Sequence, residues 1–138
     1  GWKGALDSIK VDTEVTIPNK IHFDVVDSEQ GQVIIKLTNE KNMDGFSAFT
    51  KSIIDESNHQ VVKSTITIYE INKISNEQLA TVVRHEMGHV LGLAHSTARE
   101  DLMAPFISVK YPYISQCDVD AVRMLYDGNQ KSRVVCER

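Results

Sequence analysis

The sequence of 138 residues lacks the features that mark several large classes of protein. No apolar run approaches the eighteen or so residues that a membrane-spanning helix needs. The 15 Lys and Arg against 19 Asp and Glu give a net charge of −4, and no basic cluster interrupts that balance, which argues against a nucleic-acid partner. Hydrophobic residues make up 41% of the chain and charged residues 25%, as in ordinary globular domains. We therefore expect residues 1–138 to form a single domain with its own core, and to be monomeric.

Cysteine is also scarce, since the chain has only Cys117 and Cys136. Two cysteines are too few for a disulfide scaffold, and their spacing does not fit a cysteine-based zinc site. A bridge between them would pin the C-terminal tail, as is common in secreted proteins. Two separate, partly buried thiols are the alternative, and the sequence leaves both open. No signal peptide or lipidation motif is visible.

Apolar periodicity in the first half of the chain predicts one helix followed by a sheet. Apolar residues at helical spacing mark a short helical face at the start, and strand-like alternation or apolar runs follow. The helical face consists of Trp2, Ala5, Leu6 and Ile9. The four expected strands are Ile21–Val25, Val33–Leu37, Phe46–Ile54 and Val62–Ile71, the last two forming a hairpin.

From Ser75 onwards the apolar residues recur at helical spacing. Ser75 and Gln78, three residues apart, have the form of a capping box at the start of a helix. A helix is predicted over Asn76–Leu91, with Gly92 as a left-handed residue at its end. An ordered loop is expected over 94–113. The last predicted helix starts at Ser115, which has an Asp three residues on, and stops at Gly128.

The most informative segment fits the pattern H-E-x-x-H-x-x-G-x-x-H from His85 to His95. His85 and His89 are four residues apart on a helix, so their side chains point the same way and can share one ion. A continuous helix would carry His95 about 15 Å along the axis from His85, so the chain must turn back. Gly92 permits that turn because it enters positive φ without a Cβ penalty. Three imidazoles with an open fourth position are typical of a catalytic zinc.

Glu86 is the predicted general base and acid of this site. It projects close to an apolar arc of valines on the same helix, where a carboxylate without a partner would be costly. A water at the metal would give it that partner. Glu86 could take a proton from the water and pass it to the leaving amide nitrogen.

This sequence resembles the metzincin clan of zinc endopeptidases, whose long motif is followed by a methionine turn. Asp101–Pro105 looks like that turn, with Met103 eight residues after His95. Ser96, directly after the third histidine, is similar to the matrixin branch, the matrix-metalloproteinase-like group. The resemblance implies an α+β, zincin-like fold: a twisted mixed sheet, an active-site helix, the methionine turn and a C-terminal helix.

The resemblance also implies how a substrate would bind. Residues 46–50 would be the sheet edge on which an extended protein or peptide substrate adds a strand. Residues 105–107 would form part of the pocket for the side chain after the scissile bond, with a preference for apolar residues. A secreted or cell-surface location is implied by the resemblance and by the possible bridge.

Some family features are missing or altered. Outside the motif the chain has only His22 and His59, too few for the second, structural zinc of vertebrate-type matrixins, and we interpret both as solvated or satisfied histidines. We therefore expect one catalytic zinc and no structural zinc, while calcium stays open because no Asp- and Gly-rich loop is evident. Ala104 replaces a common aromatic residue, and the inhibitory cysteine segment is absent. The resemblance implies that the family's N-terminal strand and part of its first helix lie upstream of Gly1.

The sequence therefore predicts a zinc-dependent endopeptidase that hydrolyses internal peptide bonds. One alternative is a zinc-holding binding or inhibitory module that does not cut, against which the intact Glu86 argues. Another is a zinc hydrolase acting on a small amide, for which a closed cleft would be expected.

Overall fold

The protein is represented by a computed structural model that describes residues 31–57, 60–126 and 134–135. The helix predicted at the start of the chain and the strand predicted over Ile21–Val25 lie outside these residues. None of the helices in the described ranges is long and apolar enough to cross a membrane.

Three strands form a mixed sheet in the described part of the chain. They are β1 (Val33–Leu37), β2 (Ala48–Asp55) and β3 (Gln60–Ile68), arranged in the order β1-β3-β2. β1 runs parallel to β3, and β2 runs antiparallel to it, so the predicted hairpin is confirmed. With the helices described below, this sheet fits the expected α+β fold.

The end of β3 differs from the sequence prediction, which carried the strand to Ile71. The strand ends at Ile68, and Glu70 takes a left-handed conformation with φ 50°. A short 3₁₀ turn, Ile71–Lys73, follows and leads into the next helix. A left-handed residue cannot continue a strand, so β propensity alone overestimated its length.

One face of the sheet packs against the first helix. Ile66 and Ile68 on β3 are fully buried and form a hydrophobic cluster with Val82 of that helix. Burying each of these isoleucine side chains is worth roughly 1.5–3 kcal/mol. This contact holds the helix that carries the motif against the sheet.

Helix α1, Asn76–Val90, begins at the predicted capping box. The Gln78 amide donates to Ser75 Oγ at 3.1 Å, and the Ser75 amide donates to Gln78 Oε1 at 2.8 Å. Two N–H groups that the helix itself cannot satisfy are thereby paired. The observed end is one residue earlier than predicted, because Leu91 is the C-cap.

Helix α2, Gln116–Tyr126, closes a second hydrophobic cluster around the segment after the motif. Ser115 and Asp118 cap it reciprocally: the Ser115 amide donates to Asp118 Oδ2 at 3.0 Å, and the Asp118 amide donates to Ser115 Oγ at 3.2 Å. Met103 and Val122 are fully buried in the cluster. The predicted stop at Gly128 lies outside the described residues.

Candidate metal centre and active site

The structure brings the three histidines of the motif together. His85 and His89 lie one turn apart on α1, with their Nε2 atoms 3.1 Å apart. His95 comes from the loop after the helix, and one ligand nitrogen from each ring lies within 4.8 Å of the other two. The ring centroids are separated by 4.8, 5.1 and 5.6 Å. Three nitrogens at such spacing can share one metal ion.

The turn that delivers His95 is built around Gly92, whose φ is +102°. The Gly92 amide donates to the His89 carbonyl at 3.0 Å, and the Leu93 amide donates to the Gly88 carbonyl at 3.0 Å. These two bonds form a Schellman motif, which satisfies carbonyls at the end of α1 and reverses the chain. The left-handed glycine predicted from the sequence is therefore present.

Backbone carbonyls orient two of the imidazole rings. His85 Nδ1 lies 2.6 Å from the Leu102 carbonyl, and His89 Nδ1 lies 2.7 Å from the Leu93 carbonyl. A carbonyl oxygen only accepts hydrogen bonds, so each Nδ1 must carry the proton and donate. That tautomer leaves each Nε2 with a free lone pair, directed at the other ligands. Metal-ligating histidines are usually held in this way.

The electrostatic environment keeps His85 neutral. Its side chain is buried, and burial lowers its pKa to about 4, an effect opposed by the hydrogen bond to the Leu102 carbonyl and reinforced by the nearby His89 and His95. Burial also lowers the pKa of His95. A neutral imidazole is the form that binds a metal. The donor set, the tautomers of His85 and His89 and the lowered pKa values of His85 and His95 therefore fit a tetrahedral zinc with three protein ligands and one open position.

Glu86 is buried beside the histidines, with 4% of its surface exposed. Its Oε2 accepts a hydrogen bond from Thr50 Oγ1 on β2, so the costly unpartnered carboxylate considered above does not occur. The sequence predicts Thr50 at the sheet edge but does not predict this contact. The only signal available was strand alternation, which sets Ala48, Thr50 and Ser52 on one face.

The segment predicted as a methionine turn lies directly behind the histidines. Met103 is fully buried, its amide donates to Asp101 Oδ1 at 2.9 Å, and its carbonyl accepts from the Ser96 amide at 2.7 Å. Leu102 supplies the carbonyl that orients His85. The C-terminal segment around Val134 contacts the loop after the third histidine, because the Thr97 amide donates to the Val134 carbonyl at 3.0 Å. The turn and the segment around Val134 thus fix the backbone directly after the third histidine.

A cavity of about 320 Å³ lies beside the N-terminal half of α1. Val82, one helical turn before His85, and Ile107, from the segment after the methionine turn, both line it. Of the predicted pocket residues 105–107, only Ile107 is among the lining residues, whereas Phe106 is 88% exposed.

Other predicted features fall outside the described ranges. His22, His59 and Cys136 all lie there, so the interpretation of the two histidines and the bridge to Cys117 stay predictions. Within the described ranges, His85, His89 and His95 form the one group of three or more histidine, cysteine or acidic side chains that could hold a metal ion.

Comparison with known proteins identifies relatives of this chain. The family described as Matrixin matches residues 7–127. The chain is 47% identical to stromelysin-3 of Rattus norvegicus over 53 residues, which are 38% of this chain and 11% of that protein. It is 47% identical to matrix metalloproteinase-20 of Homo sapiens over 51 residues, 35% of this chain and 11% of that protein. It is 40% identical to the hatching enzyme of Paracentrotus lividus over 60 residues, 42% of this chain and 10% of that protein.

The matched segments thus span about a tenth of the length of these relatives. No solved structure matches the chain significantly.

Proposed function

This chain belongs to the matrixin family of zinc metalloendopeptidases, and we propose that residues 1–138 form a single catalytic domain that hydrolyses internal peptide bonds of proteins. The observation that carries the proposal is the convergence of three histidine nitrogens within 4.8 Å of one another beside a buried glutamate. A metal site with three imidazoles has a free position for chemistry, and an adjacent carboxylate supplies a base.

His85, His89 and His95 would hold the zinc ion, the first two through the Nε2 atoms that the backbone carbonyls leave free. When bound, zinc supplies Lewis-acid polarisation of the scissile carbonyl and lowers the pKa of a water molecule towards neutrality. The rigid turn at Gly92 and the hydrogen bonds to Leu93 and Leu102 keep the three rings in place, so little reorganisation is needed when the substrate arrives.

Glu86 acts as the general base and then as the general acid. Its carboxylate accepts the proton of the attacking water at one oxygen, while the other oxygen is held by Thr50. The same carboxyl group then delivers the proton to the departing amide nitrogen. Burial of Glu86 excludes bulk water from this transfer and strengthens the electrostatic interactions within the site.

The substrate lies in extended form along residues 46–50. β2 is at the end of the strand order in the described sheet, so one of its edges is open to a further strand. Thr50 of β2 touches Glu86, so a peptide on this edge passes close to the base. The cavity next to Val82 and Ile107 receives the side chain after the scissile bond. Its lining is mixed, and the apolar part, Ile74, Val82, Ile107 and Val109, favours an apolar residue.

We further propose that the protein acts as a monomer outside the cell or at its surface. In that oxidising environment Cys117 and Cys136 would pair and fasten the C-terminal tail. The buried Val134, which contacts the loop after His95, is two residues before Cys136, so the bridge would stabilise the tail where it supports the third ligand.

Cleavage of denatured casein by the zinc-loaded protein tests the proposed activity. We expect fragments from internal cuts, loss of cleavage on addition of a zinc chelator, and its return when zinc is added back. The Ser52→Ala variant, changed on β2 at a hydroxyl that pairs with Ser64 and not with Glu86, serves as a preparation control and should cut at the wild-type rate. Wild-type protein that binds one zinc ion without cutting casein would contradict the proposal.

A further inference from the structure

We propose that Thr50 is a positioning residue that orients the catalytic carboxylate of Glu86. This inference rests on the proposed function, because it assigns Thr50 a part in proton transfer by that glutamate. The observation behind it is the hydrogen bond from Thr50 Oγ1 to Glu86 Oε2, which joins two residues 36 positions apart in the chain.

The sheet register explains why Thr50 reaches the active-site helix. Thr50 pairs with Ile66 of β3, and Ile66 is fully buried on the face that packs against α1. Directly paired residues on neighbouring strands point to the same face, so the Thr50 side chain is also directed towards the helix. A shift of the strand by one residue would turn this hydroxyl away.

The chemistry of the pair fixes the direction of the hydrogen bond. An ionised carboxylate only accepts, so the threonine hydroxyl donates. The last torsion of a glutamate is broad and has no single preferred value, whereas a β-branched threonine on a strand is stiff at χ1. The stiff donor therefore sets the plane of the carboxylate. With Oε2 held by Thr50, Oε1 is the oxygen left to accept the proton of the attacking water.

The same strand face provides a matched comparison. Ser52 also points to this face, but its hydroxyl lies 2.7 Å from Ser64 Oγ on β3 and does not hydrogen-bond to Glu86. A lost hydroxyl at Ser52 changes the packing and polarity of β2 in much the same way as one lost at Thr50. Only the change at Thr50 removes the contact with the proposed base.

Steady-state kinetics of casein-derived peptide cleavage test the proposal with three variants. Thr50→Val keeps the shape and removes the hydroxyl, so we expect kcat to fall about 10- to 100-fold while KM changes little, given the usual strength of hydrogen bonds to charged groups. Thr50→Ser keeps the donor and should retain most of kcat, and Ser52→Ala should match wild type. A Thr50→Val enzyme with wild-type kcat, or a Thr50→Ser enzyme as slow as Thr50→Val, overturns the proposal.

A second readout does not depend on activity or on zinc. Melting temperatures of the metal-free wild type, Thr50→Val, Glu86→Leu, which has no hydrogen-bond acceptor, and the double variant form a double-mutant cycle. We expect the shifts to be non-additive, because each single change breaks the same hydrogen bond. Additive shifts would overturn the positioning role even if the wild type cuts peptides. An inactive wild type would instead overturn the proposed function, and the cycle would still decide whether Thr50 and Glu86 are coupled.

Discussion

Replacing Gly92 with alanine is expected to damage both the stability of the fold and the metal site. The φ of +102° at this position is rarely adopted by residues with a side chain, and such a conformation costs roughly 1–3 kcal/mol. The added Cβ would also lie 3.3 Å from Leu125 Cδ1, closer than an ordinary contact, so that side chain must shift within the second hydrophobic cluster. A total loss of about 2–4 kcal/mol follows, which corresponds to a fall in melting temperature of roughly 5–15 °C.

The effect on zinc follows from the Schellman turn. Relaxing the backbone at Gly92 moves the Leu93 carbonyl, which holds His89, and the segment that carries His95. Loss of a partner that orients a metal ligand typically weakens metal binding by about 10- to 100-fold, and we expect a decrease in that range.

Thermal unfolding and zinc competition with a chelator measure the two effects separately. The matched control is Gly45→Ala, because Gly45 also has positive φ, +79°, but nothing lies within 4 Å of an added Cβ there. We expect this control to lose less stability and to keep its zinc affinity. A Gly92→Ala variant that binds zinc as tightly as wild type, or an equal loss of zinc affinity in both alanine variants, would contradict this role of Gly92.

Two further predictions concern the helix caps. Ser75→Ala removes one half of the capping box with Gln78 and should lower the free energy of unfolding by about 1 kcal/mol in urea titrations; an unchanged midpoint would contradict it. Burial, together with the nearby Asp101 carboxyl group, raises the pKa of Asp118 to about 7, well above its unfolded value near 3.8. Between these two pH values the folded state binds a proton that the unfolded state does not. The free energy of unfolding therefore falls as the pH rises from about 4 to about 7. Asp118→Asn stays neutral throughout, so its melting temperature relative to wild type should rise from pH 5 to pH 8, and a constant difference would refute this assignment.

The elements that could be predicted from sequence are those encoded locally. The limits of α1 were predicted to within a residue because the capping box at Ser75, the helical period and Gly92 all lie within one continuous segment. The histidine triad followed from the same logic, since the i, i+4 spacing of His85 and His89 presets two ligands. Short-range geometry alone was sufficient for these features.

The features that the sequence does not predict depend on contacts between residues that are far apart in the chain. The Thr50–Glu86 hydrogen bond requires a strand register and a helix orientation that no local pattern encodes. The same is true of the partly buried hydrogen bond from Ser115 Oγ to Asp101 Oδ2, at 2.6 Å, which joins the cap of α2 to the methionine turn. Even the end of β3 was misjudged, because Glu70 takes a left-handed conformation that its residue type does not favour.

In the proposed site three histidines hold the metal while Glu86 transfers the proton, and Glu86→Ala separates these roles most directly. Zinc content and casein cleavage are measured on the same preparation of this variant and of wild type. We expect one zinc ion bound to each protein and cleavage abolished only in the variant, because Glu86 does not coordinate the metal. A variant that retains cleavage, or one that no longer binds zinc, would contradict the assignment.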